Sequence, residues 1–173
     1  KSLSYVDTLE LRGKYPIPSF EKFPDKLYDR DIIMDIYEVI KPTDAQQKFL
    51  FRPGSKIFFS QVGKVEDKNI LSDGHEGYLL YGPYIPLPQG KYSLEIEGRI
   101  LSGSANNVFF DVVANKGNSI IIDKKPFEFD NERIHGKTSF SLHDSVEDGE
   151  FRVYVKDSTI VSIDSITLTK IQN

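Results

Sequence analysis

Glu95 and Glu97 have the spacing of a catalytic carboxylate pair. Residues two apart on a strand point to the same side, and they lie about 7 Å apart because a strand rises ~3.3 Å per residue. Glycosidases place two carboxylates at separations of this order. A strand face that meets solvent carries the same residue types, so catalysis by this pair is only one of three functional hypotheses.

Other catalytic patterns are absent from the sequence. His75, His135 and His143 lie in or beside predicted turns, without the HxH, HExxH or HxxxH spacing of a zinc site. There is no GxSxG motif, Walker loop or strand-GxGxxG-helix unit, and the chain has no cysteine. We therefore expect a non-enzymatic domain that needs no cofactor.

The turn "HDSVEDGE" could hold a metal ion. It supplies Asp144, Glu147, Asp148 and Glu150, whose carboxylate oxygens are the ligands that Ca²⁺ prefers. The spacing is not that of an EF-hand, and an acidic surface turn is the alternative. The sequence thus allows a structural calcium ion without requiring one.

Charge and length narrow the classes of partner. The 173 residues carry 22 basic and 26 acidic side chains, for a net charge of -4, and the two signs are interspersed. Nucleic-acid binding favours a basic block, which is missing. No apolar stretch approaches the ~20 residues of a spanning helix, so we expect no transmembrane segment. Because the chain begins at Lys1, we expect it to be a piece of a longer protein.

Two regions differ along the chain. Residues 1–45 contain the proline-rich, aromatic stretch "KYPIPSFEKFPDKLYD", which predicts an extended arm because proline suits neither a helix interior nor a central strand. The following "DRDIIMDIYEVIKP" has helical apolar spacing and predicts one short helix, with a β-branched strand as the alternative. Residues 46–173 alternate short strands with turns, which predicts an all-β sandwich. The candidate strands are "KFLF", "KIFFSQV", "NILS", "GYLLYG", "YSLEIEGRIL", "NVFFDVVAN", "SIIID", "FEFD", "KTSFSLH", "EFRVYVK" and "TIVSIDSITLTK".

Alternation along the strands separates a core face from a polar face. Tyr92, Leu94, Ile96 and Ile100 should point inward, and Phe151, Val153 and Val155 should do the same in a second strand. In the last strand the apolar residues change phase, which predicts a bulge near Asp164 or Ser165. The outward residues would form one polar surface if their strands are neighbours: Glu97, Arg99, Arg152, Tyr154 and Lys156.

The stretch "LLYGPYIPLPQGKY" resembles a segment of accessory β-sandwich modules found beside bacterial glycosyltransferases and methyltransferases of surface-polysaccharide assembly. The upstream "FRPGSKIFFSQVGKV" and the closing "IDSITLTKI" extend the likeness over roughly residues 47–171. The resemblance implies a jelly roll similar to carbohydrate-binding modules, without catalysis, beside a neighbouring catalytic domain. It favours a cytoplasmic location that could be membrane-peripheral, although the sequence itself gives no compartment.

The leading hypothesis is therefore a non-catalytic glycan-binding module of a larger bacterial polysaccharide-biosynthesis protein. Aromatic rings stack on the flat faces of sugars, while charged and amide side chains bind the hydroxyl groups. The alternative is a protein-interaction or spacer domain whose arm, residues 15–28, docks on a neighbouring domain or subunit. A small glycan lyase or hydrolase is the third. One of Tyr81 and Tyr84 should lie in the core. The candidate ligand-binding residues are Arg99, Arg152, Tyr154, Lys156, Glu97, His75, Tyr81 and Tyr84.

Overall fold

The computed structural model describes residues 36–37 and 46–171, and regular structure in these ranges is almost entirely β. A 3-10 helix at Ala105–Asn107 links two of the strands. The strands are β1 (Ile36–Tyr37), β2 (Gln46–Phe51), β3 (Gly63–Glu66), β4 (Asn69–Ser72), β5 (Gly77–Leu87), β6 (Gly90–Ser102), β7 (Val108–Ala114), β8 (Ser119–Pro126), β9 (Glu128–Asp130), β10 (Arg133–Leu142), β11 (Val146–Val155) and β12 (Ile160–Ile171).

Two antiparallel sheets pack face to face. The larger sheet has the order β1-β2-β12-β6-β10-β9, with β4 paired to β12 and β3 to β4, and the smaller has the order β5-β11-β7-β8. From β5 onward the chain passes repeatedly from one sheet to the other, as in a jelly roll. The predicted all-β sandwich is confirmed. The described residues include no helix long and apolar enough to span a bilayer.

The core lies between the sheets and follows the predicted alternation. Leu94 and Ile96 of β6 are fully buried, and Phe151 and Val153 of β11 meet them from the opposite sheet. Between these residues, the polar side chains of each strand point to the two outer surfaces. A sandwich of this kind gives the molecule two separate outer faces, one on each sheet.

The last strand contains the predicted bulge. The pairing of β12 with β6 shifts register between Ile163 and Ser165, which leaves Asp164 as the extra residue. Ile163 and Ile166 are therefore both completely buried, although they are three residues apart. The bulge also turns the Asp164 carboxylate outward, where it accepts hydrogen bonds from the side chains of Asn69, Arg99 and Ser162.

Two local predictions differ from the structure. The segment "KIFFSQV" is a loop and not a strand, because only Phe59 makes a bridge, to Tyr81. In the predicted short helix, the two described residues, Ile36–Tyr37, form β1 and pair with β2, as the strand alternative requires. The rest of that segment and the extended arm lie outside the described residues.

Candidate functional site

The outer face of the smaller sheet combines aromatic and charged side chains in matched rows. Arg152 of β11 stands between Tyr81 of β5 and Asp111 of β7. Tyr154, two residues further along β11, is paired with Tyr78 on one side and Phe109 on the other. Alternation turns these side chains away from the core, so three strands supply one surface.

Five aromatic rings form a continuous line on this surface, which we call the aromatic track. Successive ring centroids along it are separated by 6.1, 5.7, 6.3 and 5.4 Å. One pair, Phe59 and Tyr81, is stacked with an interplanar angle of 28°, and the other neighbours are tilted or edge-on. Phe59 is 46% exposed and the four tyrosines are half-buried. In order, the track is Tyr84, Phe59, Tyr81, Tyr78 and Tyr154.

A bulge in β5 keeps both Tyr78 and Tyr81 on the outer face. Leu80 pairs with Val153 and Tyr78 with Tyr154, so Leu79 is an extra residue in the ladder. Leu79 and Leu80 are consequently both fully buried. The expectation that one of Tyr81 and Tyr84 lies in the core is wrong, because neither tyrosine is buried. A second register shift leaves Tyr84, which has a φ of 57°, outside the ladder between Pro83 and Ile85.

The loop before β3 completes the track. Ile57 and Phe58 are buried in the core and anchor the loop. Phe59 exchanges two backbone hydrogen bonds with Tyr81, of 2.9 and 3.0 Å. Its side chain is thus fixed beside the tyrosine ring, and one residue of the loop joins the surface of the sheet.

An ion pair lies at the centre of the face. The Nε and Nη2 atoms of Arg152 each donate to a different carboxylate oxygen of Asp111, both at 2.7 Å. The Asp111 carboxylate raises the pKa of Arg152, chiefly through these hydrogen bonds. The guanidinium also lies 4.9 Å from the centre of the Tyr78 ring. Bidentate geometry and the ring contact hold Arg152 in one orientation.

Hydroxyl groups at both ends of the track bind carboxylates. Tyr84 donates to Glu150 at 3.2 Å, and burial raises the pKa of both groups. Tyr154 donates to Glu76, and that hydrogen bond raises the pKa of the tyrosine to about 12. The Nζ of Lys124 lies 3.9 Å from the centre of the Tyr154 ring. The terminal rings are therefore fixed in position and stay protonated at neutral pH.

The structure brings together only some of the predicted ligand-binding residues. Arg152, Tyr154, Tyr81 and Tyr84 share the aromatic face, and Lys156 lies at its end, 5.3 Å from the Phe109 ring centre. By contrast, the three remaining candidates lie elsewhere. These are His75, which is exposed and paired with Asp73, and Glu97 and Arg99, which lie on the larger sheet.

Glu97 and Arg99 do not adjoin Arg152 because β6 and β11 belong to different sheets. On the outer face of the larger sheet, Glu97 contacts His135 at 3.0 Å and Arg99 contacts Asp164 at 3.1 Å. The condition for a single polar surface is therefore not met: Glu97 and Arg99 lie on the opposite side of the sandwich from Arg152, Tyr154 and Lys156.

Glu95, one member of the carboxylate pair of the hydrolase hypothesis, lacks the electrostatics of a general acid. Lys137 donates to Glu95 and lowers the pKa of this carboxyl. A general acid requires a raised pKa at working pH. Glu95 and Glu97 also lie on an exposed strand face, each beside a basic partner.

Two carboxylates of the acidic turn "HDSVEDGE" bind neighbouring protein groups. Asp148 accepts hydrogen bonds from the backbone N–H groups of Asn115 and Lys116, and Glu150 accepts one from Tyr84. Within the described ranges, no three acidic or histidine side chains form a group suited to a metal ion. The carboxylates considered for calcium, which include those of Asp144 and Glu147, are therefore not grouped as a calcium site would require.

Sequence reasoning missed several members of the face, among them Phe59, Tyr78 and Asp111. Asp111 had a usable signal, since it is the one charged residue in the apolar strand "NVFFDVVAN". A carboxylate at such a position is buried, at 4% exposure, and requires a charged partner. Phe59 and Tyr78 had no comparable signal because a loop and a bulge place them.

The fold is a β-sandwich similar to that of solved carbohydrate-binding modules. A solved structure with this fold is the C-terminal family 6 carbohydrate-binding module of a marine laminarinase from Zobellia galactanivorans. It superposes with a TM-score of 0.51 at 12% sequence identity, covering 72% of this chain and all of the module. At this identity the likeness concerns the fold alone.

Two further solved structures superpose on this chain with lower TM-scores. A family 22 xylan-binding domain from Paenibacillus barcinonensis gives 0.42 at 9% identity, over 74% of this chain and 83% of that domain. A glycosylation-associated protein complex from Streptococcus agalactiae also gives 0.42, at 14% identity, over 98% of this chain and 33% of that one. No protein-family profile and no curated protein sequence matches the chain.

Proposed function

We propose that this chain is a non-catalytic glycan-binding module that binds its ligand on the outer face of the smaller sheet. The aromatic track is the observation that carries the proposal. The track consists of five partly exposed rings in a line, with carboxylates and a guanidinium among them. A sugar chain could stack on the exposed ring surfaces and form hydrogen bonds with the polar groups. The centroid separations are close to the length of one pyranose unit.

We further propose that the module belongs to a larger enzyme of bacterial surface-polysaccharide assembly. The "LLYGPYIPLPQGKY" resemblance supports this context, and the family 6 module of similar fold is itself part of a laminarinase. Holding a polysaccharide beside a catalytic domain raises the effective concentration of the substrate there. The module then contributes to turnover of long chains without contributing a reacting group.

A polysaccharide microarray tests the binding proposal. We expect the labelled chain to bind at least one polymer on an array of plant, algal and bacterial polysaccharides. Tyr81 lies at the middle of the track, so Tyr81→Ala should weaken that binding by about 2 kcal/mol, or roughly 30-fold. Calorimetry with the retained polymer would measure the loss.

Phe129→Ala is the matched control. Phe129 is an aromatic residue of the larger sheet that is 59% exposed, so the variant removes a ring of similar type far from the track. We expect unchanged affinity. Equal effects of the two substitutions, or no binding of the wild-type chain to any polymer, would refute the proposed function.

A further inference from the structure

Arg152 has donor capacity that its ion pair does not use. Nε and Nη2 bind Asp111, and no residue in the described part of the chain accepts a hydrogen bond from Nη1. Gly117, in the turn between β7 and β8, lies next to this atom. A Cβ at position 117 would come within 3.4 Å of Nη1, so a longer side chain would cover it. Among the described residues Nη1 is not a buried unpaired atom, so its two N–H groups are accessible beside the track.

The charge of this guanidinium is already balanced. Asp111 lies against it in a bidentate pair, and Glu150, two residues before Arg152 in β11, is a second buried carboxylate. Asp111 lies opposite Arg152 on the neighbouring strand β7. Glu150 and Arg152 are both on β11, two residues apart, so their side chains point to the same face. The centre of the face thus holds two carboxylates for one cation.

The lysines at the end of the face are also balanced. Lys124 and Lys156 lie over the rings of Tyr154 and Phe109. Nearby, the carboxylate of Glu76 accepts the Tyr154 hydroxyl, and Asp157 accepts the backbone N–H of Glu76. Among the described residues neither lysine forms an ion pair, but the two ammonium groups and the carboxylates of Glu76 and Asp157 leave this end of the face without a net positive charge.

We infer that the face selects uncharged glycans, and that Nη1 of Arg152 donates to a neutral sugar oxygen, such as a hydroxyl or acetamido carbonyl. This inference rests on the proposed function and adds the substrate class. A neutral oxygen needs only the hydrogen bond. A carboxylate or sulfate at Nη1 would lose hydration and meet the field of Asp111 and Glu150, and the cation at that position, Arg152, is already paired with Asp111.

Affinity electrophoresis with matched polymers tests the inference. The probes are hydroxyethyl and carboxymethyl cellulose, methyl-esterified and de-esterified pectin, and dextran and dextran sulfate. We expect at least one uncharged polymer to retard the chain, with at least tenfold weaker retardation by its anionic counterpart. Equal or stronger retardation by the anionic member overturns the inference and leaves the proposed function intact. If none of the six polymers retards the chain, the same comparison is made on the polysaccharide array, where binding only to anionic polymers overturns the inference and binding to none overturns the proposed function as well.

Asp111→Asn tests the cause of the selectivity. This substitution keeps the size of the side chain and removes one of the two carboxylates beside the Arg152 cation. We expect the ratio of anionic to uncharged affinity to rise at least tenfold, and an unchanged ratio in a folded variant overturns the charge argument. Gly117→Asn is the second variant, because asparagine tolerates the positive φ of 83° and would cover Nη1. Its affinity for the uncharged polymer should fall at least fivefold, and wild-type affinity would show that Nη1 is not a ligand contact.

Discussion

Replacing Arg152 by alanine should destabilise the sandwich far more than the loss of a surface charge would. Asp111 has a side-chain exposure of 6% and Arg152 of 18%, so the pair is largely removed from water. Arg152→Ala leaves the aspartate carboxylate buried beside the apolar residues of β7 without its two hydrogen bonds. Breaking a buried pair from one side costs about 3 kcal/mol or more, which is roughly 10 °C in Tm for a domain of this size.

Arg99→Ala is the matched control for this prediction. Arg99 pairs with Asp164 on the larger sheet, but the two side chains are 49% and 33% exposed. Solvent screens such a pair, and its removal should cost less than about 1 kcal/mol. Urea unfolding followed by circular dichroism measures both variants, with the linear extrapolation giving the free energies of unfolding.

A double variant separates the buried charge from the lost packing. Arg152→Met with Asp111→Leu removes both charges and refills the space with apolar atoms, which is often neutral for stability. We expect the double variant to recover most of the loss caused by Arg152→Ala. The reasoning is refuted if Arg152→Ala and Arg99→Ala have equal effects, or if the double variant is less stable than Arg152→Ala.

Two further predictions concern Glu150 and Gly98. Burial raises the pKa of Glu150, so the folded state binds a proton more tightly than the unfolded chain and wild-type stability falls as pH rises from the unfolded value through the folded one. Glu150→Gln should therefore gain stability relative to wild type over this window, as measured by urea unfolding at several pH values; a constant difference would contradict it. Gly98→Ala would place a Cβ 2.3 Å from the backbone oxygen of Ser162. Thermal unfolding should show a loss of about 2 kcal/mol or more, whereas an unchanged Tm would mean that β6 and β12 can separate at this point.

The regular strands could be predicted from sequence because their side chains alternate without interruption. From Lys91 to Gly98, β6 pairs with β10 in unbroken register. Leu94 and Ile96 are therefore buried as expected, and Glu95 and Glu97 face outward. The phase change in β12 was visible for the same reason, since an apolar pattern shifts where an extra residue enters the ladder.

The candidate site was less predictable because it depends on non-local pairing. Whether Arg152 neighbours Arg99 or Asp111 depends on which strands share a sheet, and alternation within one strand carries no such information. In the tyrosine-rich part of β5, the extra residue Leu79 reverses which side chains point to the core and which point outward. Phe59 reaches the face from a loop, where no periodicity applies.

The origin of the aromatic track bears on the thermodynamics of binding. Tyr78, Tyr81 and Tyr84 come from a single strand, and each terminal hydroxyl of the track already has a carboxylate partner. These rings have given up most of their rotamer freedom before any ligand arrives. Association then carries a small entropic penalty from side-chain ordering, and the surface is preorganised for its ligand. A glycan bound here should leave the backbone of the smaller sheet essentially unmoved.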